Sequence, residues 1–151
     1  NNLLNGKIPS SIAKLSNTLE LLTLDDNILE GDVAYFGKLT NLNALYAEDA
    51  GLYGTITNEM IANWNEMHDL DLSGNSIGGS LPDNLFEMPG LVVLDLSGNR
   101  LTGNLPTLST AANNTRLRFL SLFENELDGS IPSSISKLQR LQHLDLGKNT
   151  L

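Results

Sequence analysis

The sequence predicts an α/β solenoid, in which short parallel strands form a concave β-sheet and short helical or 3-10 segments form the convex side. Three observations predict it. An asparagine recurs every 23–26 residues along the chain. Leucines alternate with other residues just before each asparagine, which is the two-residue period of a half-buried strand. Segments of variable length then lead to the next strand. A strand segment of constant length followed by a return segment of variable length is typical of a solenoid.

The repeat is defined by an asparagine and by the leucines before it, in the pattern L-x-x-L-x-L-x-x-N. About six copies cover residues 1–151, which we assign to one domain. The first leucine lies eight residues before the asparagine position in every copy, and the apolar residue before the proline site lies six residues after it. Only the return segment varies, from 9 to 12 residues. The asparagine position is occupied by Asn2, Asn27, Ala50, Asn75, Asn99, Asn125 and Asn149.

The L-x-L segment of each repeat is predicted to be a strand whose leucines, such as Leu94 and Leu96, face the core. The asparagine then turns the chain, and its amide is expected to bind backbone groups inside the turn. The repeats therefore predict a ladder of buried asparagines. Ala50 has no amide, so we expect the second repeat to be locally looser.

The segment after the asparagine reads x-L-x-G-x-I/L-P in most copies. Its glycine lets the backbone pass where a side chain would crowd, and its proline is expected to start a short helical return. Return segments should add a second apolar pair to the core, such as Ile135 with Leu138 and Leu85 with Met88. Trp64 stands at one of these apolar positions, so we assign it to the core.

These residues resemble the plant-type leucine-rich repeat family, whose mark is the L-x-G-x-I-P extension seen in "RLTGNLP", "ELDGSIP" and "LLNGKIP". The resemblance covers essentially the whole chain. It implies a leucine-rich repeat superhelix that binds a protein or peptide ligand on its concave face, as a segment of an extracellular or cell-surface receptor-like protein. It also leaves open a secreted inhibitor of polysaccharide-degrading enzymes, a wall- or ice-binding protein, or a structural spacer in a longer array.

The chain departs from the family pattern at its ends. It has no cysteine, whereas such ectodomains are usually closed by cysteine-containing caps. It begins and ends inside a repeat, and Leu151 lies at a coil position that we expect to be exposed. Because a solenoid needs polar caps for solubility, we expect an internal fragment of a longer array.

Composition and motifs argue against several functions. A net charge of −9 would repel nucleic acid, and no stretch reaches the roughly 20 apolar residues that cross a bilayer, so we expect no membrane contact by this chain itself. His68 and His143 are assigned to the same strand position three repeats apart, about 14 Å from each other, which is too far to share a metal ion or a proton. No phosphate loop or nucleophile motif is present. We therefore expect no enzyme activity, no cofactor and no metal ion.

Acidic residues crowd the predicted concave face. Ten of the 18 acidic residues occupy its outward positions, eight of them in the first four strands, whereas Arg118 and Lys148 lie at the far end. An electronegative groove would attract a basic segment of a ligand. Acids on an exposed face also keep a protein soluble, and a regular strand face is poorly shaped to surround calcium with six or more oxygens.

Aromatic residues on the same face are the stronger candidates for ligand contact, because large outward aromatics serve no core purpose and such anchors dominate binding energy at interfaces. Phe119 and Phe123 are assigned to one strand and are expected to form a single apolar patch. The predicted ligand-binding residues are Tyr46, Glu48, Asp69, Asp71, Asp95, Phe119, Phe123 and His143.

One N-glycosylation sequon, Asn113-Asn114-Thr115, occurs in the longest return segment. It lies on the predicted outer side of the coil, where a bulky glycan would be tolerated. Asn113 is therefore the predicted glycosylation site of an exported protein.

Overall fold

Two parallel β-sheets enclose one hydrophobic core in the computed structural model, which describes residues 2–109 and 116–151. Each repeat contributes one strand to each sheet. The even-numbered strands form the sheet that we call concave, and the odd-numbered strands form a second sheet that we call lateral. In chain order the strands are β1 (Asn5–Lys7), β2 (Leu21–Thr23), β3 (Ile28–Asp32), β4 (Ala44–Tyr46), β5 (Leu52–Gly54), β6 (Asp69–Asp71), β7 (Ser76–Ser80), β8 (Val93–Asp95), β9 (Arg100–Gly103), β10 (Phe119–Ser121), β11 (Glu126–Leu127) and β12 (His143–Asp145).

The concave sheet pairs each strand with the equivalent strand of the next repeat, without any offset. The central residue of every strand is a leucine on the inner side of the sheet, and its two neighbours point outward. Leu144, in the last strand, is 42% exposed. Leu45, Leu70, Leu94 and Leu120 in this row are fully buried. The predicted solenoid with a parallel concave sheet is confirmed, and the leucine frame sets its register.

The lateral sheet follows a different register and was not predicted. Each of its strands pairs two residues out of step with the repeat frame, so that Gly78, three residues after one asparagine, lies opposite Arg100, which directly follows the next. An even offset keeps inward side chains opposite inward ones, because side chains alternate along a strand. Each lateral strand is therefore shifted by two residues relative to the equivalent strand of the next repeat, whereas the concave strands are in register.

Within residues 2–109 and 116–151, five return segments contain a short helix, as expected, and the described part of the segment between β9 and β10 contains none. Four of the helices are 3-10 helices, at Ser10–Leu15, Val33–Lys38, Leu85–Glu87 and Ser133–Lys137, and one is an α-helix, α1, at Asn58–Asn63. Proline directly precedes the first and the last of these 3-10 helices. Thr57 stands at the proline site before α1 and caps it, because its hydroxyl accepts a hydrogen bond from the Met60 amide at 3.3 Å. The predicted glycosylation site Asn113 lies outside the described residues.

The predicted asparagine ladder is confirmed. The Oδ1 of Asn99 accepts a hydrogen bond from the Ile77 amide of the preceding repeat at 3.0 Å, and its Nδ2 donates to carbonyl oxygens of both repeats. The same bond from the preceding repeat is accepted by Asn27, Asn75, Asn125 and Asn149. Ala50 cannot supply this acceptor, so the amide of Leu29 has no partner of this kind. Local looseness of the second repeat stays a prediction.

A left-handed residue precedes every asparagine position in the described repeats, a feature that sequence reasoning missed. These residues have φ between 47° and 67°: Asp26, Asp49, Gly74, Gly98, Glu124 and Lys148. Glycine adopts this conformation without strain, which explains why two of the copies read "SGN". The other four residues adopt this conformation at a modest cost in backbone strain energy, and the turn directs the asparagine inward.

The core runs the length of the stack. Trp64 is fully buried, as predicted, and its Nε1 donates a hydrogen bond to the carbonyl oxygen of Phe36 at 3.1 Å. Leu85, Met88 and Leu138 are also buried. The expected exposure of Leu151 is wrong, because this residue is half-buried and packs against the core. The backbone amide and the hydroxyl of its neighbour Thr150 both donate hydrogen bonds to the carbonyl oxygen of Leu127 in the preceding repeat, at 2.8 Å.

Candidate ligand-binding face

The outward side chains of the concave sheet form two rows, one on either side of the central leucines. Equivalent residues lie directly opposite one another on neighbouring strands, about 4.8 Å apart. We call the row before the leucines the first row; it contains Leu21, Ala44, Asp69, Val93, Phe119 and His143. The second row, after the leucines, contains Thr23, Tyr46, Asp71, Asp95, Ser121 and Asp145. Six of the eight predicted ligand-binding residues lie in these rows.

The assignment of both histidines to one strand position is wrong. His143 is opposite Phe119 and shares a row with Asp69, whereas His68 precedes β6 by one residue. The leucine frame explains the difference, because His68 directly follows its first leucine-site residue and His143 stands one position further on. Three strand spacings still separate them, which is about 14 Å.

An aromatic stack lies at the far end of the first row. The rings of Phe119 and His143 are parallel within 4°, with centroids 4.4 Å apart. Val93 lies on the opposite side of Phe119 in the same row, and both Val93 and Phe119 are half-buried. The stack and Val93 therefore give three adjacent strands a continuous apolar surface that faces outward from the core.

Phe123 makes a separate contact beyond the end of β10. The Lys148 ammonium lies 4.8 Å from the centroid of its ring and also forms an ion pair with Glu124 at 3.0 Å. Phe123 follows Phe119 by four positions, which corresponds to about 13 Å along an extended chain. The assignment of both phenylalanines to one strand is wrong, because β10 ends at Ser121, and the two rings make different contacts. A single apolar patch formed by both stays a prediction.

Tyr46 is held by an acid of the next repeat. Its hydroxyl donates a hydrogen bond to Oδ2 of Asp69 at 2.9 Å. Partial burial raises the pKa of the Tyr46 phenol, and the hydrogen bond to Asp69 and the negative charges of Asp69, Asp71 and Asp25 raise it further. Because the ring is fixed by this bond, it offers a ligand a pre-positioned surface on β4.

Glu48 lies in the most acidic part of the face. Partial desolvation raises the pKa of its carboxyl group, and repulsion from Asp71, Asp49, Asp26 and Asp25 adds to the effect. The backbone amide of Glu48 donates to Oδ1 of Asp25 at 3.0 Å, which holds the two acids on neighbouring repeats close together. A cationic group placed here would relieve this repulsion.

The aspartates of the second row also have a structural role. Oδ1 of Asp71 accepts hydrogen bonds from the amide of Ser73 at 3.0 Å and from its hydroxyl at 2.6 Å. Asp95 and Ser97 repeat this arrangement at 2.9 Å and 2.6 Å. These bonds close the turn that leads to each asparagine, so one oxygen of each aspartate is already occupied. The D-x-S spacing in "DLSGN" was the available signal, and sequence reasoning missed it.

A polar cavity of about 400 Å³ opens where β4 and its neighbouring strands begin. It is lined by Glu20, Asn41, Asn43, Glu66 and His68. The imidazole of His68 is held by its Nδ1, which donates to the carbonyl oxygen of Glu66 at 2.7 Å. Sequence reasoning did not single out this cavity, because Asn41 and Glu66 lie before the strand pattern and come close to the others only across repeats.

Residues 2–109 and 116–151 contain no cluster of three histidine, cysteine or acidic side chains arranged to hold a metal ion. Within the same ranges, no helix has the length and apolar character to cross a membrane.

Comparison with known proteins identifies the repeats. The family model described as Leucine Rich Repeat matches residues 67–88, 90–110 and 116–138. Solved plant receptor ectodomains superimpose on nearly the whole chain. The chain belongs to the plant-type leucine-rich repeat family.

Plant receptors are the relatives of this leucine-rich repeat chain. It is 36% identical over 78 residues to "Receptor-like protein 52" of Arabidopsis thaliana, covering 52% of this chain and 10% of that protein. The ectodomain of the Arabidopsis receptor kinase HAESA, solved in complex with an IDA peptide hormone, matches with a TM-score of 0.89 and 33% identity, over 99% of this chain and 24% of that one. The plant peptide hormone receptor RGFR1, in complex with RGF2, matches with a TM-score of 0.87 and 31% identity, over 97% of this chain and 23% of that one.

The chain thus spans between a tenth and a quarter of the length of these three relatives. The comparisons assign no role to individual residues of this chain. The eight predicted ligand-binding residues and the glycosylation of Asn113 stay predictions.

Proposed function

We propose that this chain is a binding segment of an extracellular or cell-surface receptor-like protein, and that it holds a protein or peptide ligand on its concave sheet. In this proposal the chain binds and does not catalyse, and it uses neither a cofactor nor a metal ion. The observation that carries the proposal is the outward stack of Phe119 on His143.

The stack supports binding because it has no role in the core. The core is filled by the central leucines and by residues of the return segments, such as the fully buried Trp64 and Phe36. An outward pair of rings exposes apolar surface to water, which costs free energy unless a partner covers it. Aromatic side chains lose little conformational entropy on binding and often anchor interfaces.

The distribution of charge supports a ligand that has a basic part. No lysine or arginine occupies an outward position in the first four concave strands or in the residues that flank them, whereas eight acids lie at these positions. The bonds from Ser73 and Ser97 explain why Asp71 and Asp95 are there, but Glu48 and Asp69 have no such role in a turn. Complementary charge would speed association with a basic ligand and make binding sensitive to salt.

The relatives support the same class of ligand and the same location. HAESA and RGFR1 are receptors whose structures contain bound peptide hormones, and this chain resembles a segment of each. Receptor-like protein 52 supports a receptor-like parent protein.

Capture of partners tests the proposal. The wild-type chain, a variant with Tyr46→Ala, Phe119→Ala and Phe123→Ala, and a Tyr53→Ala control are immobilised and exposed to an extracellular extract at low and at physiological salt. Tyr53 is the matched control because it is an aromatic residue that is 50% exposed on the lateral sheet. We expect a protein or peptide that is held by wild type and by the control, is lost from the triple variant, and is retained less at higher salt.

Identical capture profiles for wild type and the triple variant would contradict the proposal and favour a spacer. Capture of a polysaccharide-degrading enzyme by wild type would favour a secreted inhibitor instead. Circular dichroism of each variant verifies that the fold is intact before the profiles are compared.

A further inference from the structure

The polar cavity and the aromatic stack lie in opposite halves of the concave sheet. The cavity is lined by residues that precede β2, β4 and β6, and the stack joins β10 to β12. From β4 to the midpoint of the stack is three and a half strand spacings, or about 17 Å.

The side chains of the cavity are rich in unused acceptors. Within the described residues, the carboxylates of Glu20 and Glu66 accept no hydrogen bond and form no ion pair. Asn41 uses its Nδ2 to bind the carbonyl oxygen of Asn17 at 2.9 Å, which leaves its Oδ1 as an acceptor. Because His68 donates through Nδ1, its neutral ring presents Nε2 as an acceptor too.

Such a cavity suits a basic side chain. A guanidinium group offers five donors and an ammonium group three, and neither has an acceptor of its own. Two carboxylates supply the opposite charge, and the carboxamides and imidazole supply further acceptors. A volume of about 400 Å³ has room for the end of an arginine or lysine side chain together with water.

The stack suits an apolar side chain. Phe119, with Val93 beside it and His143 over it, presents a ring face and edge on which an aromatic or aliphatic group can pack. The nearby positive charge of Arg118, which precedes β10, makes this half unfavourable for a second basic group.

We infer that the ligand is an extended peptide segment lying across the strands, with a basic side chain in the polar cavity and an aromatic or aliphatic side chain on the Phe119–His143 stack. At about 3.3 Å per residue, the 17 Å between the two sites corresponds to about five residues. The inference rests on the proposed function and specifies the chemistry that the concave sheet recognises.

Selection of peptides from a random twelve-residue display library on the immobilised 151-residue chain tests the spacing. We expect enriched peptides to carry arginine or lysine four to six positions from an aromatic or aliphatic residue, in either order along the peptide. The most enriched peptide is then synthesised with a fluorescent label, and its dissociation constant is measured by fluorescence anisotropy.

Variants on both sites locate the two contacts. The double variant Glu20→Gln, Glu66→Gln removes charge with little change in shape, and Phe119→Ala removes the stack. We expect each to weaken binding about tenfold, which is the usual scale for one charge-assisted hydrogen bond or one aromatic anchor. Glu126→Gln and Tyr53→Ala, on the lateral sheet, are the matched controls and should leave the constant unchanged.

The outcomes separate the inference from the proposed function. Changing the basic residue of the peptide to glutamine should remove the difference between wild type and the Glu20, Glu66 variant, since the contact is then already lost. Peptides that need Tyr46, Phe119 and Phe123 but ignore the cavity variant would overturn the inference and leave the concave sheet as a binding surface. Peptides that bind the triple variant as well as wild type, or a library without enrichment, would overturn both.

Discussion

Replacing Asn99 with alanine removes one rung of the asparagine ladder, and the loss can be worked out bond by bond. The carbonyl oxygens of Leu72 and Leu96 would each keep a second bond, from Asn75 and Asn125 respectively. The amide of Ile77 would lose its side-chain acceptor. One buried unpaired amide costs about 1–3 kcal/mol, and the three lost carbonyl bonds, of which the third is to Ser97 at 3.2 Å, add about 1 kcal/mol, so we expect a total loss of about 2–4 kcal/mol.

Equilibrium unfolding in urea measures this loss. Circular dichroism follows all repeats, and the fluorescence of the single, fully buried Trp64 follows the middle of the stack. If the two transitions coincide, the stack unfolds as one unit and the free energy of unfolding is well defined. Asn5→Ala is the control, because Asn5 is exposed and its loss should change the free energy by less than about 0.5 kcal/mol. A loss below about 0.5 kcal/mol for Asn99→Ala as well would refute the reasoning and show that water replaces the amide.

Three further changes test the fold and its charges. Gly6 and Gly54 both have positive φ, 92° and 100°, but an added Cβ meets nothing at Gly6 and collides with the Asp32 carboxylate at Gly54. Substitution with alanine should therefore lower the free energy of urea unfolding by about 1–2 kcal/mol at Gly6 and by at least about 1 kcal/mol more at Gly54. Equal losses at the two positions would contradict this account. Trp64→Phe leaves a buried carbonyl oxygen without its donor and should cost about 1–3 kcal/mol by circular dichroism, whereas an unchanged midpoint would mean that the bond contributes nothing. The raised pKa of Glu48 means that the folded chain holds its proton more tightly than the unfolded chain, so stability falls as pH rises through the carboxyl range. Glu48→Gln should raise the urea midpoint at about pH 7 and have little effect at about pH 3. High salt should remove only part of the effect, because it screens the repulsion from the aspartates but not the desolvation, and a lowered midpoint at pH 7 would show that the sign is wrong.

Features repeated in every copy of the sequence were predicted well. The spacing from the first leucine to the asparagine never changes, so it fixes which residues point inward and which strands pair, as in the unbroken pairing of Leu70 with Leu94. The ladder followed from the chemistry of one residue type at one position. Trp64 was placed in the core by its position in the frame, despite its rarity.

Features that depend on contacts between repeats were missed or wrong. The two-residue offset of the lateral sheet is a relation between neighbouring repeats, so the sequence of one repeat does not show it. The stack of Phe119 on His143 could not be predicted, because it depends on the exact strand register and on the orientations of the two rings. The polar cavity is lined by Asn41 and Glu66 from different repeats, and neither residue lies within the recurring L-x-x-L-x-L-x-x-N pattern. Local patterns thus predict the coil, whereas the surface depends on how the coils stack.

Site-specific photo-crosslinking tests the central claim most directly, because it reports which surface the ligand touches. Benzoylphenylalanine is introduced in place of Phe119 on the concave sheet or of Tyr53 on the lateral sheet, and each protein is irradiated with the captured partner or the selected peptide. The account predicts a covalent adduct from position 119 and none from position 53, since position 119 belongs to the aromatic stack and position 53 lies on the other sheet. An adduct from position 53 alone would contradict it and move the binding surface to the lateral sheet.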